Sequence, residues 1–68
     1  MNELRLRELR EEKEMTQAEV AKAIGVDART ISNYEVGVRE PDIQTIKKLC
    51  KFFDVTSDYL LGLSNDPQ

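Results

Sequence analysis

Histidine is absent from this 68-residue chain, and cysteine occurs once, at Cys50. Without imidazole there is no histidine-based acid–base catalysis and none of the usual zinc clusters, and a single thiol excludes an internal disulfide framework. A small domain with no metal or covalent staple stands on packing alone, and one reduced thiol fits a cytoplasmic compartment. Hydrophobic residues never run on for more than a few positions, which leaves no transmembrane span and no hydrophobic region of a signal peptide. No block of one charge exists either. The 10 basic and 13 acidic residues give a net −3 that is spread evenly along the chain. Such a balance argues against coating nucleic acid nonspecifically, a mode that depends on neutralising many phosphates. It leaves room for a reader that uses a few placed contacts.

With 40% hydrophobic and 34% charged residues, the composition is that of one folded domain with a well-solvated surface. Three glycines and two prolines punctuate it. Asn2 is placed to cap a first segment, NELRLRELREEK, with Leu6 and Leu9 on one face. Thr16 opens TQAEVAKAI, and Glu19 three positions on completes a capping box. Val20, Ala21 and Ile24 form its apolar stripe, and Gly25 is the natural left-handed terminator. Asp27 caps DARTISNYE, whose Ile31 and Tyr34 face inward and which Gly37 ends. Pro41-Asp42 starts a fourth segment, where Ile43, Ile46, Leu49, Cys50 and Phe53 recur at helical spacing. Thr56 or Ser57 caps a last turn, SDYLL, closed by Gly62. A chain that stops one helix at Lys13 and turns into Thr16 needs a left-handed residue near Glu14. No stretch alternates with period two long enough for a strand. The expectation is an all-α, compact five-helix domain over residues 1–63 with a frayed tail, 64–68.

Two capped helices with the short turn AIGVD between them form a helix-turn-helix pattern. The strings LRELREEK, TQAEVAKAIGV, TISNYEVGVREP and DYLLG, in that order and spacing, resemble the phage repressor and Cro-like, xenobiotic-response-element type of helix-turn-helix family. The likeness runs from about Leu6 to Gly62 and implies a lambda-repressor-like DNA-binding fold.

In that family the third helix enters the major groove of double-stranded DNA. The resemblance puts Ala28, Arg29, Ser32 and Asn33 at its base-contacting positions. Their chemistry suits the role: arginine forks onto guanine O6 and N7, asparagine pairs with adenine N6 and N7, and alanine meets a thymine methyl. Gln17 matches a phosphate-holding position at the start of the second helix, with Arg39 and Lys22 as further phosphate contacts. Arg10 and Glu35 match a structural pair tying the first helix to the third. Without the resemblance, Arg29 and Asn33 would read as ordinary solvated residues. Cys50 reads as a small buried hydrophobe, Lys47, Lys48 and Lys51 as the wet side of a helix, and Glu8, Glu11, Glu12 and Glu14 as solvated carboxylates. The chain departs from the family at Val36 and Val38, where polar or basic residues are usual, at Asp27, where serine or threonine caps, and at Glu14, where glycine is common.

The function that follows is a sequence-specific transcriptional regulator of the repressor type, binding a pseudo-palindromic operator as a homodimer with no cofactor and no metal. Val55, Leu60, Leu61 and Leu63 are the apolar groups left for a dimer contact. The alternative is an interaction module of the same fold, such as an antitoxin or anti-repressor partner, docking a protein through Val36 and Val38. An enzyme ranks last, since no P-loop, nucleophile–base pair or metal spacing is present.

Overall fold

Local capping chemistry sets where the helices start. The computed structural model describes residues 4–68, in which five α-helices follow one another: α1 (Leu6–Glu12), α2 (Gln17–Ile24), α3 (Ala28–Val36), α4 (Ile43–Phe53) and α5 (Ser57–Leu60). No strand occurs among the described residues. Thr16 Oγ1 accepts from the Glu19 N–H at 3.1 Å while Glu19 Oε1 accepts from the Thr16 N–H at 2.8 Å, a complete capping box for α2. Asp27, Asp42 and Thr56 cap α3, α4 and α5 in the same manner, each accepting from the backbone three residues on. Asn2, expected to cap the first helix, lies outside the described residues. The N-cap position of α1 is occupied by Arg5, which makes no side-chain cap.

Left-handed residues end the helices. Gly25 at φ +83° turns the chain from α2 into α3, a conformation that costs glycine nothing. Glu14 and Asp54 take the same region at φ 56° although both carry a Cβ. Glu14 therefore lies where the sequence required a left-handed residue.

The core is one cluster: Leu6, Leu9, Val20, Ala21, Ile24, Ile31, Tyr34, Leu49, Phe53 and Leu60 are buried. Helix α2 packs on α3 and α4, α4 on α5, and α1 on α3. Burying each aliphatic side chain contributes about 1.5–3 kcal/mol, so the apolar stripes assemble the helices as well as shield them.

Two expectations are corrected by this packing. Ile43, placed with the apolar stripe of α4, is 70% exposed. It opens the helix and lies roughly 100° around the axis from the Leu49–Phe53 line at 3.6 residues per turn, at the border of the stripe. Leu60, assigned to a dimer contact, is 0% exposed, because α5 seats it in the core. Residues of the tail also contact the rest of the domain. Arg5 Nη2 donates to the Ser64 carbonyl at 3.2 Å and to Asn65 Oδ1 at 2.8 Å, and its guanidinium lies 4.4 Å from the centre of the Tyr59 ring. The Thr56 N–H donates to the Pro67 carbonyl at 3.0 Å, and Gln68 Nε2 to the Asp54 carbonyl at 3.0 Å.

Candidate nucleic-acid interface

Helix α3 has an inner and an outer face. Ile31 and Tyr34, 0% and 5% exposed, seat it against the rest of the domain. The residues one step round the helix, Ala28, Ser32 and Asn33, are half-buried, and Arg29 is exposed. At 3.6 residues per turn these four lie within one strip of the helix, starting at its N-terminal end. The strip offers a methyl, a guanidinium, a hydroxyl and an amide, the side chains that discriminate base edges.

The segment after α3 is folded back on it. The N–H groups of Val38 and Arg39 both donate to the Asn33 carbonyl, at 3.0 and 3.2 Å, with Gly37 left-handed at φ 84°. Arg39 is therefore held beside the C-terminal end of α3, exposed, together with Val36 and Val38 at 65% and 77% exposure. Lys22 is exposed on α2.

Below the strip lies a polar cluster. Arg10 grips Glu35 through two bonds, Nε to Oε2 at 2.7 Å and Nη2 to Oε1 at 3.1 Å, and its Nη1 donates to the Met15 carbonyl at 2.8 Å. The hydrogen bond to Glu35 holds the guanidinium pKa above its usual value, against the opposing effect of burial. Gln17 Nε2 donates to the same Glu35 Oε1 at 3.0 Å. The sequence points to the Arg10–Glu35 pair but not to its third member. Gln17 and Glu35 stand 18 positions apart, with no spacing rule to join them.

Charge at the helix starts is tuned by the caps. The Asp27 carboxylate is held below its usual range by the Thr30 hydroxyl, then the Thr30 N–H, with Arg29 and Arg39 adding positive field. Asp42 is lowered in the same way, first by the Thr45 N–H and then by its side chain. Burial raises the Cys50 thiol, the opposite of what activates a nucleophile. Glu8, Glu11 and Glu12 are exposed along α1, and among the described residues no group of three or more carboxylates or thiols could hold a metal ion. No helix of the described residues is long and apolar enough to cross a membrane.

Of the apolar residues assigned to a dimer contact, Leu63 is 73% exposed, Leu61 is half-buried, and Val55 packs partly against the core.

The whole arrangement has known counterparts. A helix-turn-helix family profile matches residues 6–60. Over 58 residues the chain is 41% identical to the HTH-type transcriptional regulator ImmR of Bacillus subtilis, covering 85% of this chain and 46% of ImmR. Over 51 residues it is 43% identical to the cryptic phage CTXphi transcriptional repressor RstR of Vibrio cholerae, covering 75% of this chain and 46% of RstR. The chain thus spans about half the length of these relatives. The crystal structure of the P22 c2 repressor in complex with a synthetic operator superposes with a TM-score of 0.83 at 32% identity, covering 88% of this chain and 91% of that one.

Proposed function

This chain belongs to the Cro/C1-type helix-turn-helix family, a family of DNA-binding transcriptional regulators and not of enzymes, and we propose that it is a sequence-specific, repressor-type reader of double-stranded DNA. The observation that carries the proposal is α3 itself, clamped by Ile31 and Tyr34 on one side and offering Arg29, Ser32 and Asn33 on the other. Arg29 forks onto a guanine, Asn33 onto an adenine, and Ala28 meets a thymine methyl. Gln17, Arg39 and Lys22 take phosphates. The domain acts in the cytoplasm by occupying a promoter, with no cofactor.

One recognition helix spans only a few base pairs, so useful selectivity requires two subunits on a pseudo-palindrome with half-sites about one turn, ~10 base pairs, apart. The exposed Leu63 and the half-buried Leu61, with the half-buried Val55, are the side chains for that homodimer contact. Selection of bound duplexes from a random pool identifies the operator. Inserting half a turn, about five base pairs, between its half-sites then abolishes tight binding in a gel-shift titration. Affinity that survives the rotation refutes the symmetric arrangement.

A second reading has its own support in the exposed valines. Val36 and Val38, at 65% and 77% exposure, form an apolar surface that an interaction module would use to dock another protein. Such a module shows no sequence preference for DNA at any salt concentration.

A further inference from the structure

Glu35, on α3, collects three donor bonds from two other helices. Its side chain is 4% exposed and accepts two bonds from Arg10 on α1 and one from Gln17 at the start of α2. A tie between α1 and α3 explains the arginine bonds, but it leaves the third donor without a purpose. We propose that Glu35 is a positioning residue for phosphate binding, one that orients the Gln17 amide before DNA arrives while Arg10 cancels the carboxylate charge. The proposal rests on the reading of Gln17 as a phosphate ligand.

Polarity is what makes this geometry directional. A glutamine amide has a donor end and an acceptor end, whereas a carboxylate and a phosphate only accept. Glu35 Oε1, 3.0 Å from Gln17 Nε2, therefore selects the orientation in which the NH2 group lies against it and the amide carbonyl is turned away. Both amide hydrogens sit on one nitrogen, so fixing the first on Glu35 sets the direction of the second. With a side chain at position 35 that could also donate, the amide would be free to flip, and the flipped form would turn its carbonyl toward the phosphate.

Ordering is the second effect. A free glutamine loses rotamer freedom when it grips a phosphate, and a side chain already held loses less. An unpaired carboxylate this close to a phosphate would repel it, and the bidentate guanidinium removes that repulsion. The same guanidinium donates to the Met15 carbonyl at 2.8 Å, two residues before Gln17, and so steadies the backbone that carries the amide.

The test is a cycle of operator affinities for the parent, Gln17→Ala, the paired replacement Arg10→Met with Glu35→Leu, and all three together. Replacing both charges at once avoids leaving one buried and unpaired. In the parent, Gln17→Ala weakens binding to the selected operator and to random duplex alike by about tenfold, the loss of a hydrogen bond to a charged group. In the paired background the same change costs about twofold, because Gln17 is no longer ordered in advance. Equal and substantial losses in both backgrounds overturn the positioning role alone. No loss in the parent overturns it together with the phosphate reading. Should the paired replacement not fold, side-chain amide relaxation by NMR on the DNA-free parent decides. Gln17 is then as rigid as its backbone and unlike the exposed Gln44. Equal mobility of the two amides refutes the proposal.

Discussion

At the scale of single residues, two side chains with positive φ invite a direct measurement. Glu14 and Asp54 both sit at φ 56°. The left-handed region costs an L-residue about 1–2 kcal/mol, and glycine returns roughly 0.4–1 kcal/mol of that through its freer unfolded chain. Glu14→Gly thus stabilises the domain by about 0.5–1 kcal/mol, a rise in Tm of ~2–8 °C by thermal denaturation. Asp54→Gly gains less, since aspartate tolerates this region better than glutamate. A lower midpoint for Glu14→Gly contradicts the strain. The proposed base contact of Arg29 is open to an equally direct measurement. Arg29→Ala costs about 1–3 kcal/mol on the best operator and flattens preference at one base pair. A uniform loss across all sequences assigns Arg29 to a phosphate instead.

At the scale of elements, the caps carry a pH dependence whose sign is determined. The pKa of Asp27 is lowered in the folded chain by Thr30, so its stabilising effect is present above the ordinary aspartate range. It is lost as pH falls through the depressed folded value. The substitution Asp27→Asn keeps an acceptor for the Thr30 N–H, now 2.8 Å from Asp27 Oδ1, without a titrating charge. Thermal melts at descending pH therefore show a shallower acid loss for this variant than for the parent. Identical slopes mean that the carboxylate does not contribute to the acid sensitivity of α3.

At the scale of the whole molecule, electrostatics works against nonspecific attraction to DNA. The net charge is −3, and the end of α3 with the segment after it offers valines at 36 and 38. In the proposed homodimer, ionic contacts are then few: Arg39 and Lys22 on each subunit, joined by Arg29 if it takes a phosphate in place of a guanine. Such a proposed dimer, neutralising about four to six phosphates, is expected to show a log–log salt slope near −4 to −5, at ~0.9 per phosphate. Val36→Lys with Val38→Lys adds two cations to each subunit, so the slope steepens and random-sequence binding rises. An unchanged slope on one operator means that this segment does not approach the phosphates, and it favours the docking of a protein partner.

What the sequence determined by itself is whatever depends on neighbours within about one turn. Thr16 with Glu19, Asp27 with Thr30, Asp42 with Thr45, and the left-handed Gly25, Gly37 and Glu14 all act over a few positions. Helix order and most apolar stripes could therefore be read directly, whereas the residues of the outward strip of α3 were singled out by the family resemblance and not by periodicity. The tertiary structure alone decided contacts between distant positions. Arg5 reaches Ser64 across 59 residues, and Gln17 reaches Glu35 across 18. The same packing buried Leu60 and left Ile43 in solvent, although both carry aliphatic side chains at helical spacing. Periodicity identifies the apolar side of a helix, but how much of that side is covered depends on where the other helices end.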